Sequence, residues 1–358
     1  MRHSRCDRQP IRGLSLTDTR NRCEKPNGKT AMRTRIWILE NVMNKAGGHR
    51  NFGYGKQMEW AGKQALRDRY GNGHYGTVAG HSERWRRFVA WCRDEQEICD
   101  SRLINSEVVQ DYGKSLSDKV DAGMSPAYAQ NLLSSVNVVL EAMRGDRQIR
   151  VAPVEFVGRR SRVRTNPPAG LDQKVVHQCA EQLRQNGHER VAATAEVARA
   201  MGLRLKEASL LNARVALGQV KKHGAVNITA GTKGGRGHRV DRWVPVSGAA
   251  IGCLVRAANA QGKGRNLVPS NLTWKQWYSR VHHVWASVRG DYGLKKIHDL
   301  RAAYACDRYQ QLTGSAAPVV ASRRIADRST DRAARLTIAQ ELGHARDDVV
   351  ATYIGGAR

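Results

Sequence analysis

Six side chains in the second half of the chain are of types that could act together on a phosphate ester. They are Arg204 in "MGLRLKEASLL", Lys233 in "GTKGGRGH", His298 and Arg301 in "HDLRA", and His344 and Tyr353 in the terminal "ELGHARDDVVATYIGGAR". A tyrosine hydroxyl can attack phosphorus, guanidinium groups bind phosphate oxygens through paired hydrogen bonds, and lysine or histidine can transfer a proton. Taken singly, each residue is better explained as structural, for example as an exposed turn lysine or a tyrosine packing a terminal helix. Their order and combined chemistry favour a function.

Two other arrangements near these residues could also do chemistry. Tyr304 and Tyr309, in "HDLRAAYACDRYQ", are rival nucleophiles, but we interpret them as packing residues. The cluster "HARDD" could supply metal ligands for a metal-dependent nuclease through His344, Asp347 and Asp348. It offers few ligands, and Asp347 is better explained as the N-cap of a last short helix.

The six residues follow the order of a known active-site set. The order G-L-R, hairpin lysine, H-x-x-R, then L-G-H with a tyrosine nine residues later resembles the tyrosine recombinases, or phage-integrase family, over roughly residues 80–358. The resemblance implies a mainly α fold with a small antiparallel β-sheet: a helical SAM-like core-binding domain followed by an α+β tyrosine-recombinase catalytic domain. It also implies site-specific DNA recombination or integration through a 3′-phosphotyrosine intermediate. The closest likeness is to integrases of integrating mobile elements.

The same resemblance implies a role for each of the six residues. Arg204 and Arg301 would clamp the scissile phosphate, and Lys233 would protonate the leaving 5′-oxygen. His298 and His344 would hydrogen-bond the phosphate, with His298 also helping to deprotonate the nucleophile. Tyr353 would be that nucleophile.

The resemblance also implies partners. We expect a homo-tetramer on two double-stranded DNA duplexes, a monomer or weak oligomer without DNA, and no metal or other cofactor. The alternative is a catalytically idle DNA-binding relative of the same fold.

Composition agrees with a nucleic-acid partner. The 358 residues contain 60 Lys and Arg against 32 Asp and Glu, a formal net charge of +28. Such an excess attracts polyanions, so nucleic acid is the first interpretation and an anionic membrane surface the second. No apolar run approaches the roughly 18 residues of a membrane span. With no secretory signal and seven scattered cysteines lacking a C-x-x-C pair, we expect a cytoplasmic protein with reduced thiols and no membrane association.

The N-terminal half is predicted to be helical after a basic arm. Residues 1–49 are polar and favour a flexible arm, although a DNA-contacting arm or an over-long start is also possible. Residues 50–150 show helical periodicity, clearest in "SPAYAQNLLSSVNVVLEAM", where Ser125 and Pro126 are placed to begin a helix. Arg84, Arg86 and Arg87 lie between the apolar positions of an earlier helix, either as a solvated face or as DNA contacts.

Residues 151–170 interrupt the helical periodicity and predict a linker. The segment is rich in proline and arginine. Its Arg159, Arg160, Arg162 and Arg164 could follow a phosphate backbone or form a solvated tether.

Residues 171–358 are predicted to form the second domain. A hairpin is expected from "AVNITA" to "RWVPV", with Pro245 placing its second strand at a sheet edge. An insertion near 314–335 is either a surface loop or an extra DNA or subunit contact through Arg323, Arg324, Arg328, Arg332 and Arg335. Thr337 and Gln340 have the spacing of a capping box for a short helix.

Overall fold

The computed structural model describes residues 49–356. The predicted N-terminal arm lies outside the described residues, except for His49. The chain divides into two compact units between Arg160 and Ser161.

The described part of the first unit is helical. Its α-helices are α1 (Met58–Tyr70), α2 (Tyr75–Gln96), α3 (Ser106–Asp121), α4 (Pro126–Arg144) and α5 (Pro153–Val157). The predicted apolar stripe of α4 is buried, and so are Trp85, Phe88 and Cys92 of α2. Helices α1, α2 and α4 pack on one another, and the Trp85 indole donates to the carbonyl of Met58 at 2.8 Å. Pro126 begins α4 as predicted, whereas the Ser125 side chain makes no capping bond.

The predicted linker begins later than residue 151. Val151 and Val157 are buried, and the Asn137 side chain bonds both the N–H and the carbonyl of Val151 at 3.1 and 2.8 Å. Phe156 of α5 packs against Gly113 of α3, where a Cβ would come within 2.6 Å of its ring. Residues 151–157 therefore belong to the first unit, because their apolar side chains complete its core.

The second unit is an α+β unit. Its α-helices are α6 (Gln173–Gln185), α7 (Glu189–Met201), α8 (Leu205–Leu210), α9 (Ala213–His223), α10 (Gly248–Gln261), α11 (Trp274–Val288), α12 (Ile297–Thr313), α13 (Pro318–Ala321), α14 (Arg328–Glu341) and α15 (Ala351–Ile354). Short 3₁₀ segments, Lys233–His238 and Asp348–Val350, complete it.

Helix α7 is the centre of the second unit. Every residue from Val191 to Arg199 is buried, and α6, α10 and α12 pack around it. The helix ends at Gly202, whose positive φ of 62° suits glycine and stops the helical hydrogen bonding. Because α12 lies against α7, the G-L-R and H-x-x-R segments are brought together.

The predicted hairpin is present but short. Strands β1 (Ala225–Asn227) and β2 (Trp243–Pro245) pair antiparallel, with Val226 opposite Val244. Val226 and Val244 are buried. Between the strands, Gly234 and Gly235 have positive φ values of 67° and 69° inside the 3₁₀ turn that begins at Lys233.

The predicted insertion is a surface loop only in part, since residues 322–327 lie outside the helices and are mostly exposed. Residues 318–321 and 328–341 are helical, and Arg335 is buried within α14. The Asp327 side chain caps α14 by accepting from the N–H groups of Ser329 and Thr330. The predicted capping box at Thr337 is therefore wrong, because that residue lies inside a helix that has already begun.

Two further expectations concern thiols and membranes. Cys92, Cys179, Cys253 and Cys306 are free, whereas Cys99 is disulfide-bonded, so the expectation of reduced thiols fails at Cys99. Within residues 49–356, no helix combines the length and apolar character that a bilayer crossing requires.

Candidate active site

Arg301 lies at the centre of the candidate site. It is the second-turn arginine of α12 and is fully buried. Its guanidinium donates to the carbonyls of Gly202 and Leu342. These carbonyls belong to the G-L-R and L-G-H segments, so Arg301 joins three motifs that are far apart in sequence.

The two motif glycines allow this close packing. A Cβ on Gly202 would lie 2.4 Å from the Tyr304 ring, and one on Gly343 would lie 2.8 Å from the Arg242 guanidinium. Both glycines also have positive φ, 62° and 67°. Any other residue at either position would be strained and would displace a side chain of the site.

Tyr353 lies beside Arg301 and His344. The Tyr353 hydroxyl is 3.1 Å from Nε2 of His344 and accepts from Nε of Arg301 at 3.3 Å. The Arg301 guanidinium also lies over the tyrosine ring, with Cζ 5.4 Å from the ring centroid. The tyrosine is buried, with 6% of its surface exposed.

His298 is placed differently from His344. Its side chain is exposed at the start of α12, and its ring centroid is 6.0 Å from that of Tyr353. The structure therefore gives His344 the hydrogen bond to the tyrosine hydroxyl. The family resemblance instead assigns help in deprotonating the tyrosine to His298.

Arg204 is held by a carboxylate that sequence inspection missed. Glu207, fully buried on α8, accepts from the backbone N–H of Arg204 at 2.8 Å and from its guanidinium at 2.6 Å. Arg242 beside β2 binds the same carboxylate with both terminal nitrogens, at 2.9 and 3.0 Å. An Arg301 nitrogen lies 3.7 Å away. Glu207 is thus shared by three arginines.

The only signal for Glu207 was its position, three residues after Arg204 at the start of a helix. Arg242 carried no signal beyond flanking a predicted strand.

Lys233 lies at the edge of a cleft next to these groups. The cleft is lined by Arg204, Lys233, Arg236, Arg242, Gly343 and His344. Lys233 is exposed at the start of the hairpin turn. All six predicted catalytic residues therefore belong to one region: Lys233, Arg204 and His344 line the cleft, while Arg301, His298 and Tyr353 lie behind or beside it.

The arginines set the ionisation of the site. Burial lowers the pKa of His344 to about 4, and the positive charges of Arg301, Arg204 and Arg242 act in the same direction. Partial desolvation by the surrounding protein, and then the positive charge of Arg301, also lower the pKa of His298, although part of its side chain is exposed. Burial opposes ionisation of Glu207, but hydrogen bonds and charge from Arg242, with Arg204 and Arg301, outweigh it and hold its pKa near 2. At neutral pH the site contains neutral histidines, an ionised glutamate and a net positive charge.

The rival tyrosines are structural in this fold. Tyr304 donates its hydroxyl to Glu341 and Tyr309 donates to Asp331, each at 2.8 Å and each buried. Burial raises the pKa of both phenols.

The residues of "HARDD" are dispersed. Asp347 makes no side-chain cap, contrary to our expectation, and Asp348 pairs with Arg346. The described residues contain no group of three or more His, Cys, Asp or Glu side chains arranged to hold a metal ion.

The predicted DNA-contact arginines differ in availability. Arg86 and Arg87 are exposed and pair with Glu83, while Arg84 is partly buried and approaches Ser135. In the segment predicted as the linker, Arg159 and Arg162 are exposed. Arg160 binds Asn131 at 3.1 Å, and Arg164 pairs with Asp299. Arg164 therefore has a structural contact, whatever it does with DNA.

Comparisons with known proteins bear on the fold. Residues 162–307 match the integrase family model. The chain resembles the structure of a lambda integrase dimer bound to a COC′ core site, with a TM-score of 0.54, 14% identity, and coverage of 91% of this chain and 85% of that one. It also resembles the Tn1549 transposon integrase in complex with transposon right-end DNA, with a TM-score of 0.52, 12% identity, and coverage of 83% and 94%. A search among curated protein sequences finds no match.

The chain has the tyrosine-recombinase fold. The predicted fold class, mainly α with one small antiparallel sheet, is confirmed. The range that matches the family model, residues 162–307, contains Arg204, Lys233, His298 and Arg301. His344 and Tyr353 lie beyond that range.

Proposed function

We propose that this protein is a site-specific DNA recombinase of the integrase type, which cleaves and rejoins strands through Tyr353. One observation carries the proposal: Arg301 contacts Gly202, Leu342, His344 and Tyr353 at once. Three distant motifs are thereby assembled around one buried cation and one tyrosine hydroxyl. A tyrosine that served only packing would not need a histidine and a guanidinium at its hydroxyl.

The phosphate would bind in the cationic cleft. Arg204 is partly exposed there, so its guanidinium N–H groups can donate to the non-bridging oxygens of the phosphate. Arg301 supplies a fixed positive charge from its buried position. These groups would neutralise the charge that develops on phosphorus in the transition state. Glu207 would hold the three arginines close together and oriented, because its negative charge compensates their mutual repulsion.

The cleavage step would exchange one phosphodiester for another. Tyr353 would attack phosphorus, forming a bond from its phenolic oxygen to the 3′-phosphate, and the bond to the 5′-oxygen would break. The phenol proton would pass to Nε2 of His344, 3.1 Å away. Lys233 would donate a proton to the leaving 5′-oxygen, and reversal of these steps would rejoin the strand.

DNA binding would prepare His344 as the base. A pKa of about 4 makes it a poor acceptor for a phenol proton in the free protein. The same arginines that lower this pKa would bind the phosphate, whose negative charge favours the protonated imidazole. The base would therefore become effective only when the substrate is present.

The expected partners follow from charge and from the fold. A net charge of +28 favours binding to double-stranded DNA. A structural neighbour at 14% identity and a TM-score of 0.53 is a lambda integrase tetramer bound to a Holliday junction. This supports our proposal that the protein acts as a homo-tetramer on two duplexes, and we place that activity in the cytoplasm.

Trapping covalent complexes tests the proposal. The protein would be incubated with a library of randomised duplexes carrying single nicks, which let the cleaved fragment diffuse away, with a chelator present. We expect denaturation-resistant protein–DNA adducts that share a sequence. A catalytically idle relative would bind DNA without forming adducts, and a metal-dependent nuclease would stop under chelator and leave none.

A further inference from the structure

Arg335 of α14 contacts the chain immediately after the helix that carries Tyr353. Its Nη1 donates to the carbonyl of Gly355 and its Nη2 to that of Gly356, each at 3.1 Å. The side chain is buried. Both terminal nitrogens of the guanidinium are therefore used on backbone that begins two residues beyond the tyrosine.

The orientation of Arg335 is fixed by its neighbours. Its Nε donates to Asp331, one turn earlier on α14, at 2.9 and 3.1 Å. Asp331 in turn accepts from the Tyr309 hydroxyl of α12 at 2.8 Å. This buried network holds the guanidinium in the plane that its two carbonyl contacts require, so little further ordering is needed to make them.

The tyrosine's helix needs such support. Helix α15 is only four residues long, too short to be stable through its own hydrogen bonds. At its start, the carbonyl of Ala351 accepts from the N–H of Arg164 at 2.9 Å. At its end, Gly355 has a φ of 89° and lies so close to Val319 that a Cβ would come within 2.8 Å of the Val319 nitrogen. The segment is thus fastened on both sides of Tyr353.

We propose that Arg335 is a positioning residue for the nucleophile. By holding Gly355 and Gly356, it keeps α15 in the place where the Tyr353 hydroxyl meets His344 and Arg301. This replaces the expectation that Arg335 contacts DNA or another subunit, because its donors already have partners inside the unit. The effect of Arg335 on catalysis rests on the proposed function, whereas its structural hold on Gly355 and Gly356 does not.

Hydrogen exchange tests the fastening without any DNA. In the full-length Arg335→Gln protein, we expect amides of residues 351–356 to exchange at least tenfold faster than in the wild type, with α6 to α10 unchanged. Arg265→Gln is the matched control, since Arg265 is exposed and the variant loses the same charge. Unchanged exchange in residues 351–356 of a folded Arg335→Gln protein overturns the proposal.

Single-turnover cleavage tests the positioning. On a cleavable DNA, Arg335→Gln should slow adduct formation by about 10- to 100-fold, the scale of an ångström of misplacement, with DNA affinity within about twofold. Faster exchange combined with normal cleavage overturns the positioning role. A wild-type protein that forms no adduct with any DNA overturns the proposed function and the catalytic part of this inference. The hydrogen-exchange result then tests by itself whether Arg335 holds residues 355 and 356 in place.

A second variant covers the case in which Arg335→Gln does not fold. Gly355→Ala leaves the Arg335 network intact but places a methyl group against Val319 and disfavours the backbone conformation. We expect the same two changes, faster exchange at 351–356 and slower cleavage with unaltered DNA affinity. If Gly355→Ala is folded and shows neither, the segment does not position Tyr353.

Discussion

The hydroxyl of Tyr353 lies between the Nε of Arg301, at 3.3 Å, and the Nε2 of His344, at 3.1 Å. A guanidinium only donates hydrogen bonds, so the phenol oxygen accepts from Arg301 and its proton points to the imidazole. A terminal nitrogen of Arg301 also lies 3.4 Å from Nε2 of His344. Because the guanidinium only donates, Nε2 of His344 accepts this contact and therefore carries no proton. The arrangement stabilises a phenolate on one side and offers a proton acceptor on the other.

Replacing His344 tests this direction of proton transfer. His344→Gln keeps a hydrogen-bond acceptor but cannot take up the proton, so single-turnover cleavage should slow by about 10² or more. DNA affinity, measured in parallel, should change little. If the variant cleaves at the normal rate, His344 is not the base, and His298→Gln becomes the variant to measure.

The lowered pKa of His344 also makes a prediction about stability. Its pKa is about 4 in the folded protein, against about 6.5 in an unfolded chain. Above pH 6.5 His344 is neutral in both the folded and the unfolded protein. Between pH 6.5 and pH 4 it binds a proton in the unfolded chain but not in the folded protein. Acidification through this range therefore destabilises the wild type.

His344→Gln lacks this source of acid sensitivity. The Tm difference between variant and wild type should shift in favour of the variant as pH falls from 7 to 5. The other histidines with lowered pKa are present in both proteins and cancel from the comparison. A Tm difference that is constant with pH would show that the imidazole is not held neutral.

Lysine substitutions separate charge from geometry in the phosphate clamp. Arg204→Lys and Arg301→Lys keep the positive charge and lose the planar set of donors, and each should slow cleavage by about 10² or more. Arg301→Lys should also lower Tm, because the carbonyls of Gly202 and Leu342 lose buried donors, whereas Arg204→Lys should affect Tm less. Near-normal cleavage in both variants would place the clamp elsewhere.

The role of Lys233 as the acid is tested with a DNA substrate whose leaving group is altered. A bridging 5′-sulfur leaves as a thiolate and needs no proton, so it should restore cleavage to Lys233→Ala. Lys233→Arg is the companion variant, because it keeps a cation in the turn but is a far weaker acid. Equal defects of Lys233→Ala on oxygen and sulfur substrates would make this lysine a phosphate contact instead.

Local signals predicted the elements well, because they depend on neighbouring residues. The buried face of α4 and the hairpin around Val226 and Val244 both follow from the periodicity of apolar residues. The T-x-x-Q spacing at Thr337 was misleading, since a capping pattern has no meaning inside a helix already capped at Asp327.

Long-range pairings could not be predicted in the same way. Glu207 and Arg242 are 35 residues apart, and their contact exists only because the folded chain brings the residue before β2 to the buried carboxylate on α8. Arg335 donates to the carbonyl of Gly355, 20 residues later. It does so from a segment whose arginine-rich sequence is typical of a surface loop. Neither contact leaves a pattern in one sequence, because backbone carbonyls and buried ion pairs impose no spacing on the chain.

Identifying the residue that becomes attached to DNA is the most direct test of the proposed nucleophile. The trapped adduct would be digested with protease and nuclease and the modified peptide analysed by mass spectrometry, with Tyr353→Phe run in parallel. Since this variant loses only the attacking oxygen, it should bind DNA with nearly unchanged affinity and form no adduct. We expect the nucleotide on the peptide containing Tyr353; a nucleotide on Tyr304 or Tyr309, or an adduct that survives in Tyr353→Phe, would contradict the mechanism.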